Sequence, residues 1–503
     1  MLTLYRASRI HTLSYPPRGE WILVDGRHVQ RVGSGDPPEA DHVVELPGTT
    51  IVPGFIDAHV HLTGTGAHRQ APEVADSRSA RQMLDALRAI LEKRSGPVLV
   101  HGWDETRWDA RQVPDVCDLD TLTDRPLAAV RIDGHLSLAN TAALRESKVL
   151  GVEGVERDED ARPTGRVTRG ANQRLQHWFQ RHLADCDIEQ LQLEAASLAV
   201  AHGVTCVHEM SMPAERGLRD PEILRKHRAR LPLDVITYLA TTDIAQVMDL
   251  GLTRVGGDLP IDGSIGARTA WVSEPYEQGE GSGTGYFEDG ELAQLFRNGH
   301  LAGLQVGVHA IGDAAIDQVV RVWERVYRAL DSRGRRHFRA RRHRIEHFEM
   351  AGDDLIERAA ALGLAVSVQP TFDAEWGHPG GLYEIGLGWD RAWSMNPFRS
   401  LLERGVEMGA GSDSPVTTID PMAGITAFEW HHQPSQRLSR VEAIRAYTLG
   451  SARLAHLEEK KGTLAPGMHA DFAAYDTDPI EASSLKGVLP VLTVSLGREV
   501  FAA

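Results

Sequence analysis

Eight short runs of apolar and β-branched residues recur along the chain from residue 53 onward, and helical segments with apolar residues every three to four positions separate most of them. Strands that alternate with helices in this way predict parallel strands joined by crossover helices. Eight such units predict an α/β fold of the (β/α)8 TIM-barrel type, whose chemistry lies at the C-terminal ends of the strands. The runs are "PGFIDAHVH", "VTCVHE", "LDVITYLA", "RVGGDLPID", "LQVGVHAIG", "HRIEHFE", "LAVSVQPT" and "VEMGAGSD".

Two regions fall outside this repeat. Residues 63 to about 181 hold a helix and two further strand-like runs, "PVLVHGW" and "RPLAAVRID". This is too much for one loop, so we predict an inserted subdomain within a barrel domain of residues 53–460. Residues 1–52 and 461–503 hold short strands separated by turn signals, and they predict one small β-sandwich composed from both ends of the chain.

Histidine and aspartate residues end four of the predicted barrel strands. His59 and His61 project to the same side because side chains two positions apart in a strand do so. His309 ends the fifth run, His347 the sixth and Asp413 the eighth. Each histidine alone is more often a hydrogen-bonded core residue, but a barrel brings all five residues to one rim. Such a set of nitrogen and oxygen ligands favours a divalent metal, zinc first and iron or manganese as alternatives.

Several motifs resemble those of the amidohydrolase superfamily, specifically its YtcJ-like branch, which includes N-substituted formamide deformylases. They are "PGFIDAHVHL", "HGWDETRW", "DGHLSLANTAAL", "DGSIGARTA", "HAIGD", "RIEH" and "GSDSP". The resemblance implies a metal-dependent hydrolase of amide or other non-peptide C–N bonds. It makes His59 and His61 the first ligand pair, His309 and His347 the next two ligands, and Asp413 a ligand and proton shuttle.

Two other functions are compatible with the same residues. A deaminase of a cyclic amidine or nucleobase-like substrate uses the same fold with a mononuclear version of these ligands. A metal-free binding protein on an amidohydrolase scaffold is the alternative outside enzymes. The complete ligand set disfavours this last function, because a retired enzyme is expected to lose ligands.

The number of metal ions depends on a departure from the family pattern. Many relatives carry a lysine four residues before the Asp-Gly of the "DGS" motif, whereas this chain carries Asp258. No lysine lies at the end of a predicted barrel strand, so a second ion would need Asp258 or Glu209 as a ligand. The alternative for Asp258 is a buried hydrogen-bonding or substrate-facing residue. For Glu209 it is a structural salt bridge or a partner of a metal ligand.

Five further residues are candidates for substrate binding. His135, Trp103 and Asp104 lie in family motifs of the insertion, Gln369 ends the seventh strand, and Arg268 follows the "DGS" motif. Each has a plainer interpretation. A histidine can hold the insertion together, a tryptophan on a lid is more often packing, and an arginine can pair with an acidic neighbour.

Two adjacent histidines, His431 and His432 in "EWHHQPS", follow the eighth strand. Loops at this face of a barrel usually shape specificity. We predict that both are surface loop residues and not metal ligands.

Charge and composition limit the partners. The chain has 54 Lys and Arg against 70 Asp and Glu, a net charge of −16, which disfavours a nucleic acid. The basic run at residues 333–344 is predicted to be a solvated connection. Neither a long apolar run nor a secretory signal is found, and we expect a soluble, cytoplasmic protein without membrane contact. Its predicted partner is a small-molecule amide, and a homo-oligomer is compatible with the sequence.

Overall fold

The computed structural model describes residues 1–70, 74–105, 108, 112–131, 136–183, 185–277 and 281–503. Within these ranges the chain forms two compact units. The first comprises residues 1–65, 193–213 and 224–503, and the second comprises residues 66–192 and 214–223. None of the helices in these ranges is long and apolar enough to span a lipid bilayer.

The strands are numbered in chain order. They are β1 Leu2–His11, β2 Arg18–Asp25, β3 His28–Gly33, β4 His42–Pro53, β5 Phe55–Val60, β6 Val98–Trp103, β7 Leu127–Arg131, β8 Leu136–Ala139, β9 Val155–Arg157, β10 Pro163–Thr168, β11 Val204–Ser211, β12 Asp234–Leu239, β13 Arg254–Val255, β14 Gln305–Ala310, β15 Arg344–His347, β16 Ala365–Val368, β17 Glu407–Ala410, β18 Phe472–Tyr475, β19 Leu492–Ser495 and β20 Arg498–Ala502.

The helices follow the same numbering. They are α1 Leu62–Gln70, α2 Ala80–Lys93, α3 Val116–Asp120, α4 Thr141–Glu146, α5 Arg169–Arg181, α6 Asp185–Ala201, α7 Pro213–Arg216, α8 Arg219–His227, α9 Ile244–Asp249, α10 Asp289–Leu301, α11 Asp313–Arg328, α12 Ser332–Arg341, α13 Asp353–Leu362, α14 Pro370–Trp376, α15 Leu382–Leu387, α16 Trp389–Trp393, α17 Phe398–Glu403, α18 Pro421–Glu429, α19 Arg440–Arg445 and α20 Ser451–Leu454. Short 3-10 turns cover Arg228–Arg230 and Pro434–Gln436, and a π-helical segment covers Ala446–Gly450. The basic run predicted as a connection is largely helical, because it contains α12.

The eight predicted barrel strands are confirmed. They form one parallel sheet in the order β17-β16-β15-β14-β13-β12-β11-β5. A parallel bridge between Val60 and Ser414, in the segment after β17, links its two outer strands. Every residue of β5 and β11 is buried, as expected for strands covered on both sides. The sheet is therefore a nearly closed barrel of the predicted α/β type.

The fourth barrel strand is much shorter than its sequence run "RVGGDLPID". Only Arg254–Val255 form β13, because Gly256 and Gly257 have φ angles of +81° and +72°. A Cβ atom on Gly256 would lie 1.9 Å from the carbonyl oxygen of Gly307, so a larger residue does not fit there. The chain therefore leaves the sheet just before Asp258.

Both ends of the chain contribute to a second sheet of seven strands, in the order β20-β19-β18-β4-β1-β2-β3. β4 pairs in parallel with β1 and antiparallel with β18. One face buries apolar residues from both chain ends, including Ile22, Ile51, Phe472 and Val494. Because β18 pairs directly with β4, the N- and C-terminal segments share one core.

The second unit contains a five-stranded sheet in the order β6-β7-β8-β10-β9. The two strand-like runs of the insertion form β6 and β7, which pair in parallel. Helix α2 packs Met83 and Leu87 in one apolar cluster, and α5 packs Leu175 and Phe179 in another. Apolar residues at a spacing of four on each helix supply these faces.

Candidate metal centre

The C-terminal ends of five barrel strands bring four histidines and two aspartates together. They are His59 and His61 at β5, Asp258 after β13, His309 in β14, His347 at the end of β15 and Asp413 after β17. At this centre two overlapping groups of three residues are found, and within each group the ligand atoms lie within 4.8 Å of one another. The first is His59, His61 and Asp413, and the second is His59, Asp258 and His347.

Asp413 lies between the two histidines of the first strand. Its Oδ1 atom is 3.3 Å from Nε2 of His59 and 3.2 Å from Nε2 of His61. The backbone N–H of Asp413 donates to the carbonyl oxygen of His59 at 2.8 Å. This hydrogen bond fixes the loop after β17 against β5.

Asp258 faces both pairs of histidines. Its Oδ1 atom is 3.1 Å from Nδ1 of His309 and 3.5 Å from Nε2 of His347. Its Oδ2 atom is 3.5 Å from Nε2 of His61. Oδ1 also lies 3.8 Å from Nε2 of His59, so the carboxylate is close to all four histidines.

Hydrogen bonds fix the orientation of three imidazole rings. Nδ1 of His59 lies 2.9 Å from Oε2 of Glu346, and Nδ1 of His61 lies 2.9 Å from the carbonyl oxygen of Met210. Nδ1 of His347 lies 2.9 Å from Oε1 of Gln369. Oxygen acceptors at Nδ1 place the proton there and leave the lone pair of Nε2 facing the centre. This is the usual way in which proteins orient histidine ligands.

Two buried polar atoms fit a cation at this centre. Nε2 of His59 and Oδ1 of Asp413 have no hydrogen-bond partner of good geometry among the described residues, although both are buried. An orphaned buried polar atom is costly. A divalent cation that accepts lone pairs from both atoms would satisfy them, and the nitrogen and oxygen donor set suits zinc, iron or manganese.

The electrostatics of the centre also favour a cation. Burial acts to lower the pKa of His59, but Asp413, Glu346 and Asp258 raise it well above its usual value. Burial acts in the same way on His61, yet Asp413 and Asp258 raise its pKa to about 9. The two aspartates therefore create a negative potential that protons or a metal ion can neutralise.

Both aspartates are ionised at neutral pH. Burial acts to raise the pKa of Asp258, but its contacts with the imidazoles of His309 and His347 hold it well below its usual value. Burial also opposes ionisation of Asp413, whereas His59 and His61 lower its pKa below the usual range. Carboxylates in this state can act as metal ligands and as proton acceptors.

The backbone is in the left-handed region at two of these positions. The φ angles are +70° at His347 and +56° at Asp413, a conformation that residues other than glycine adopt rarely. Backbone strain of this kind clusters at functional sites. Here the left-handed backbone occurs at the last residue of β15 and in the segment after β17, where both side chains lie close to the other ligands.

The sequence reasoning missed three residues that support the centre. Glu346 orients His59. Asp57 accepts the backbone N–H groups of His59 and Ser412 at 3.2 and 2.9 Å, which ties the first barrel strand to the eighth. Asp262 accepts the N–H groups of Trp271, Ile311 and Gly312. All three lie inside the family motifs, which is the signal that could have found them.

Glu209 is not part of either ligand group. Its Oε2 atom accepts the N–H of Leu62 at 2.7 Å, and Oε1 accepts the hydroxyl of Ser211 at 2.9 Å. A carboxylate at the start of α1 interacts favourably with the helix dipole. This arrangement fits the structural interpretation of Glu209.

The substrate-binding candidates lie in different places. Gln369 is buried against His347, and Arg268 is exposed in the loop after β13. Trp103 lies in the core of the second unit and donates from Nε1 to the carbonyl oxygen of Ala129 at 3.0 Å, which supports the packing interpretation. Asp104 is 3.9 Å from Nη2 of Arg131. His135 lies outside the described residues, so its substrate contact stays a prediction.

The surface prediction for His431 and His432 is wrong. Their side chains are 0% and 6% exposed, and each lies near Oδ1 of Asp373, at 3.2 and 2.5 Å. The remaining ring nitrogens are also hydrogen-bonded, since Nδ1 of His431 accepts the N–H of Gln433 and Nε2 of His432 faces the carbonyl of Trp393. The loops after β16 and β17 pack on each other, which the sequence pattern does not show.

Comparison with known proteins finds similarity to amidohydrolases. The sequence profile of the amidohydrolase family matches residues 42–501. The chain is 27% identical to the putative amidohydrolase YtcJ of Bacillus subtilis, covering 95% of each chain. It is 24% identical to an N-substituted formamide deformylase of Arthrobacter pascens, covering 92% of this chain and 91% of that protein.

The fold also matches a solved structure. An uncharacterised metal-dependent hydrolase from Pyrococcus furiosus superposes with a TM-score of 0.79 at 24% identity, covering 96% of this chain and all of the other. This similarity shows that the two chains share a fold.

Proposed function

Since this chain belongs to the amidohydrolase family and is a hydrolase, we propose that it uses a divalent metal to cleave the C–N bond of small N-acyl or N-formyl amides. The observation that carries the proposal is the convergence of four histidines and two ionised aspartates at the C-terminal rim of the barrel. The resemblance to an N-substituted formamide deformylase supports an amide as substrate.

Zinc is the proposed metal, held first by His59, His61 and Asp413. When bound, a divalent ion of this kind polarises a carbonyl and lowers the pKa of a water from about 15.7 to about 7. The protein contributes the fixed orientation of the donors and the burial that strengthens their electrostatic effect.

Asp413 is proposed to move the proton of the reaction. Its carboxylate is ionised and its Oδ1 atom has no hydrogen-bond partner of good geometry among the described residues, so it can accept a proton from the attacking water. The same carboxyl group then delivers that proton to the departing nitrogen, because an amine leaves poorly unless it is protonated.

Asp258 is proposed to share a second ion with His309 and His347. Its Oδ1 atom is 3.1 Å from Nδ1 of His309 and 3.8 Å from Nε2 of His59, and its Oδ2 atom is 3.5 Å from Nε2 of His61. A carboxylate can bind two ions through its two oxygens. Two metal ions about 3.5–4 Å apart are a recurring arrangement in hydrolytic sites.

Metal removal tests the proposed function. We expect chelator-treated protein to lose about 100-fold or more of its hydrolysis of formamides, N-acyl amino acids and cyclic amides, measured by mass spectrometry of the products. Activity should return when zinc, manganese or ferrous iron is added, because the ion supplies the electrophile. The metal that restores the highest activity identifies the preferred cofactor.

Matched histidine variants provide the control. His61→Asn should lose metal and activity, whereas His300→Asn should keep both, because His300 is a buried histidine bonded to His343 and not to the centre. Equal activity before and after metal removal would contradict the proposal. Release of ammonia from an amidine, with no amide cleaved, would favour the deaminase instead.

A further inference from the structure

A charged pair occupies the barrel interior, where apolar side chains usually fill the layers. Arg344 and Glu346 lie two positions apart in β15 and are both 0% exposed. Nε of Arg344 is 2.5 Å from Oε1 of Glu346, and Nη2 is 2.7 Å from Oε2. The guanidinium therefore holds both carboxylate oxygens in a bidentate arrangement.

Other barrel strands fix the guanidinium in turn. Nη1 of Arg344 donates to Nδ1 of His208 at 2.9 Å and lies 3.3 Å from the hydroxyl of Tyr238. Nη2 also donates to the carbonyl oxygen of Ala58 in β5. The position of Glu346 is thus determined by a network that spans β5, β11, β12 and β15.

This network ends on one metal-ligand candidate. Oε2 of Glu346 accepts the Nδ1 proton of His59 at 2.9 Å. The corresponding acceptors for His61 and His347 are neutral, a backbone carbonyl and an amide oxygen. A carboxylate partner increases the basicity of an imidazole ligand more than a neutral oxygen does.

Stability alone does not account for the pair. Removing two charges from water costs several kcal/mol per ion, and apolar side chains of similar volume are often as good or better. A function in the metal centre would explain why two charges occupy the barrel interior.

We propose that Glu346 is a positioning residue that orients and activates His59 for metal binding, and that Arg344 holds Glu346 in place. The inference rests on the proposed metal site but adds residues that bind neither metal nor substrate. The affinity of the centre for its cation then depends on an ion pair buried within the barrel.

Zinc affinity of the full-length protein tests this inference without a substrate. In competition with a chromogenic chelator, Glu346→Gln should bind zinc about 10- to 100-fold more weakly than the wild type. The absorption spectrum of bound Co²⁺ should also change, because the ring of His59 is less fixed.

Asp471→Asn is the matched control. Asp471 forms a buried ion pair with Lys461 at 2.5 Å, and neither residue contacts a metal-ligand candidate in the described structure. This variant should keep the zinc affinity of the wild type. An equal loss in both variants would mean that any broken buried pair weakens the centre, which would overturn the inference.

Arg344→Lys tests the network if Glu346→Gln does not fold. Lysine keeps the charge but not the bidentate geometry, so we expect a smaller loss of zinc affinity and the same direction of change in the Co²⁺ spectrum. Wild-type affinity in Arg344→Lys would overturn the role of Arg344, and wild-type affinity in Glu346→Gln would overturn the whole inference. A wild-type protein that binds no metal would instead contradict the proposed function.

Discussion

Asp413→Asn is expected to lower kcat by about 10³- to 10⁴-fold. This is the upper end of the usual effect of losing a general acid–base residue, because a charged metal ligand is lost as well. Asparagine has nearly the same size, but its amide cannot accept the proton of water. The backbone N–H of residue 413 still donates to the carbonyl oxygen of His59, so the loop should stay in place. Steady-state kinetics and metal analysis on the same sample separate the two losses.

Asp234, a partly buried aspartate, controls for the substitution itself. Asp234 lies at the start of β12 and accepts from Arg228, at the end of the strand opposite the metal centre. Asp234→Asn should keep the kcat and metal content of the wild type. Wild-type activity in Asp413→Asn would remove the proton-transfer role assigned to this residue.

The barrel could be predicted from sequence because its strands are short, buried and separated by helical segments at regular intervals. The runs around His59 and His309 contain mostly apolar residues and glycine, since strands covered on both sides leave no polar face. A ligand at the end of such a run is positioned by the strand itself. This is why the sequence pattern of strands and helices alone predicted that the histidines lie close together.

The supporting contacts could not be predicted because they depend on register between distant strands. Glu346 meets His59 across 287 positions of the chain, and nothing in either run specifies that pairing. The burial of His431 likewise depends on the positions of Asp373 in α14 and of Asn396 between α16 and α17. Loop packing of this kind has no periodic signal in the sequence.

Asp258 shows how local backbone decides the chemistry of a site. The run "RVGGDLPID" has the apolar content of a longer strand, yet Gly256 and Gly257 end the pairing after Val255 because both adopt positive φ angles. The side chain of Asp258 is consequently free of the strand and lies against His309 and His347. A short carboxylate therefore reaches the centre.

Asp258→Asn is expected to reduce the bound metal from two ions to one per chain. Removing one partner from a buried, paired charge typically costs about 3–5 kcal/mol, so the affinity for the second ion should fall by about 10²- to 10⁴-fold. Elemental analysis and calorimetric titration with zinc measure both the number of ions and their affinities. The ion held by His59, His61 and Asp413 should remain, since those ligands are unchanged.

Asp258→Glu distinguishes charge from reach. Glutamate keeps the carboxylate but adds one methylene. If Asp258 is a ligand of the second ion, Asp258→Glu should bind two ions with altered affinity. If Asp258 only forms hydrogen bonds, neither variant should change the number of bound ions. One ion in the wild type and in both variants would show that Asp258 only orients His309 and His347. Loss of the second ion in Asp258→Asn and its return in Asp258→Glu would establish that the carboxylate itself is the ligand.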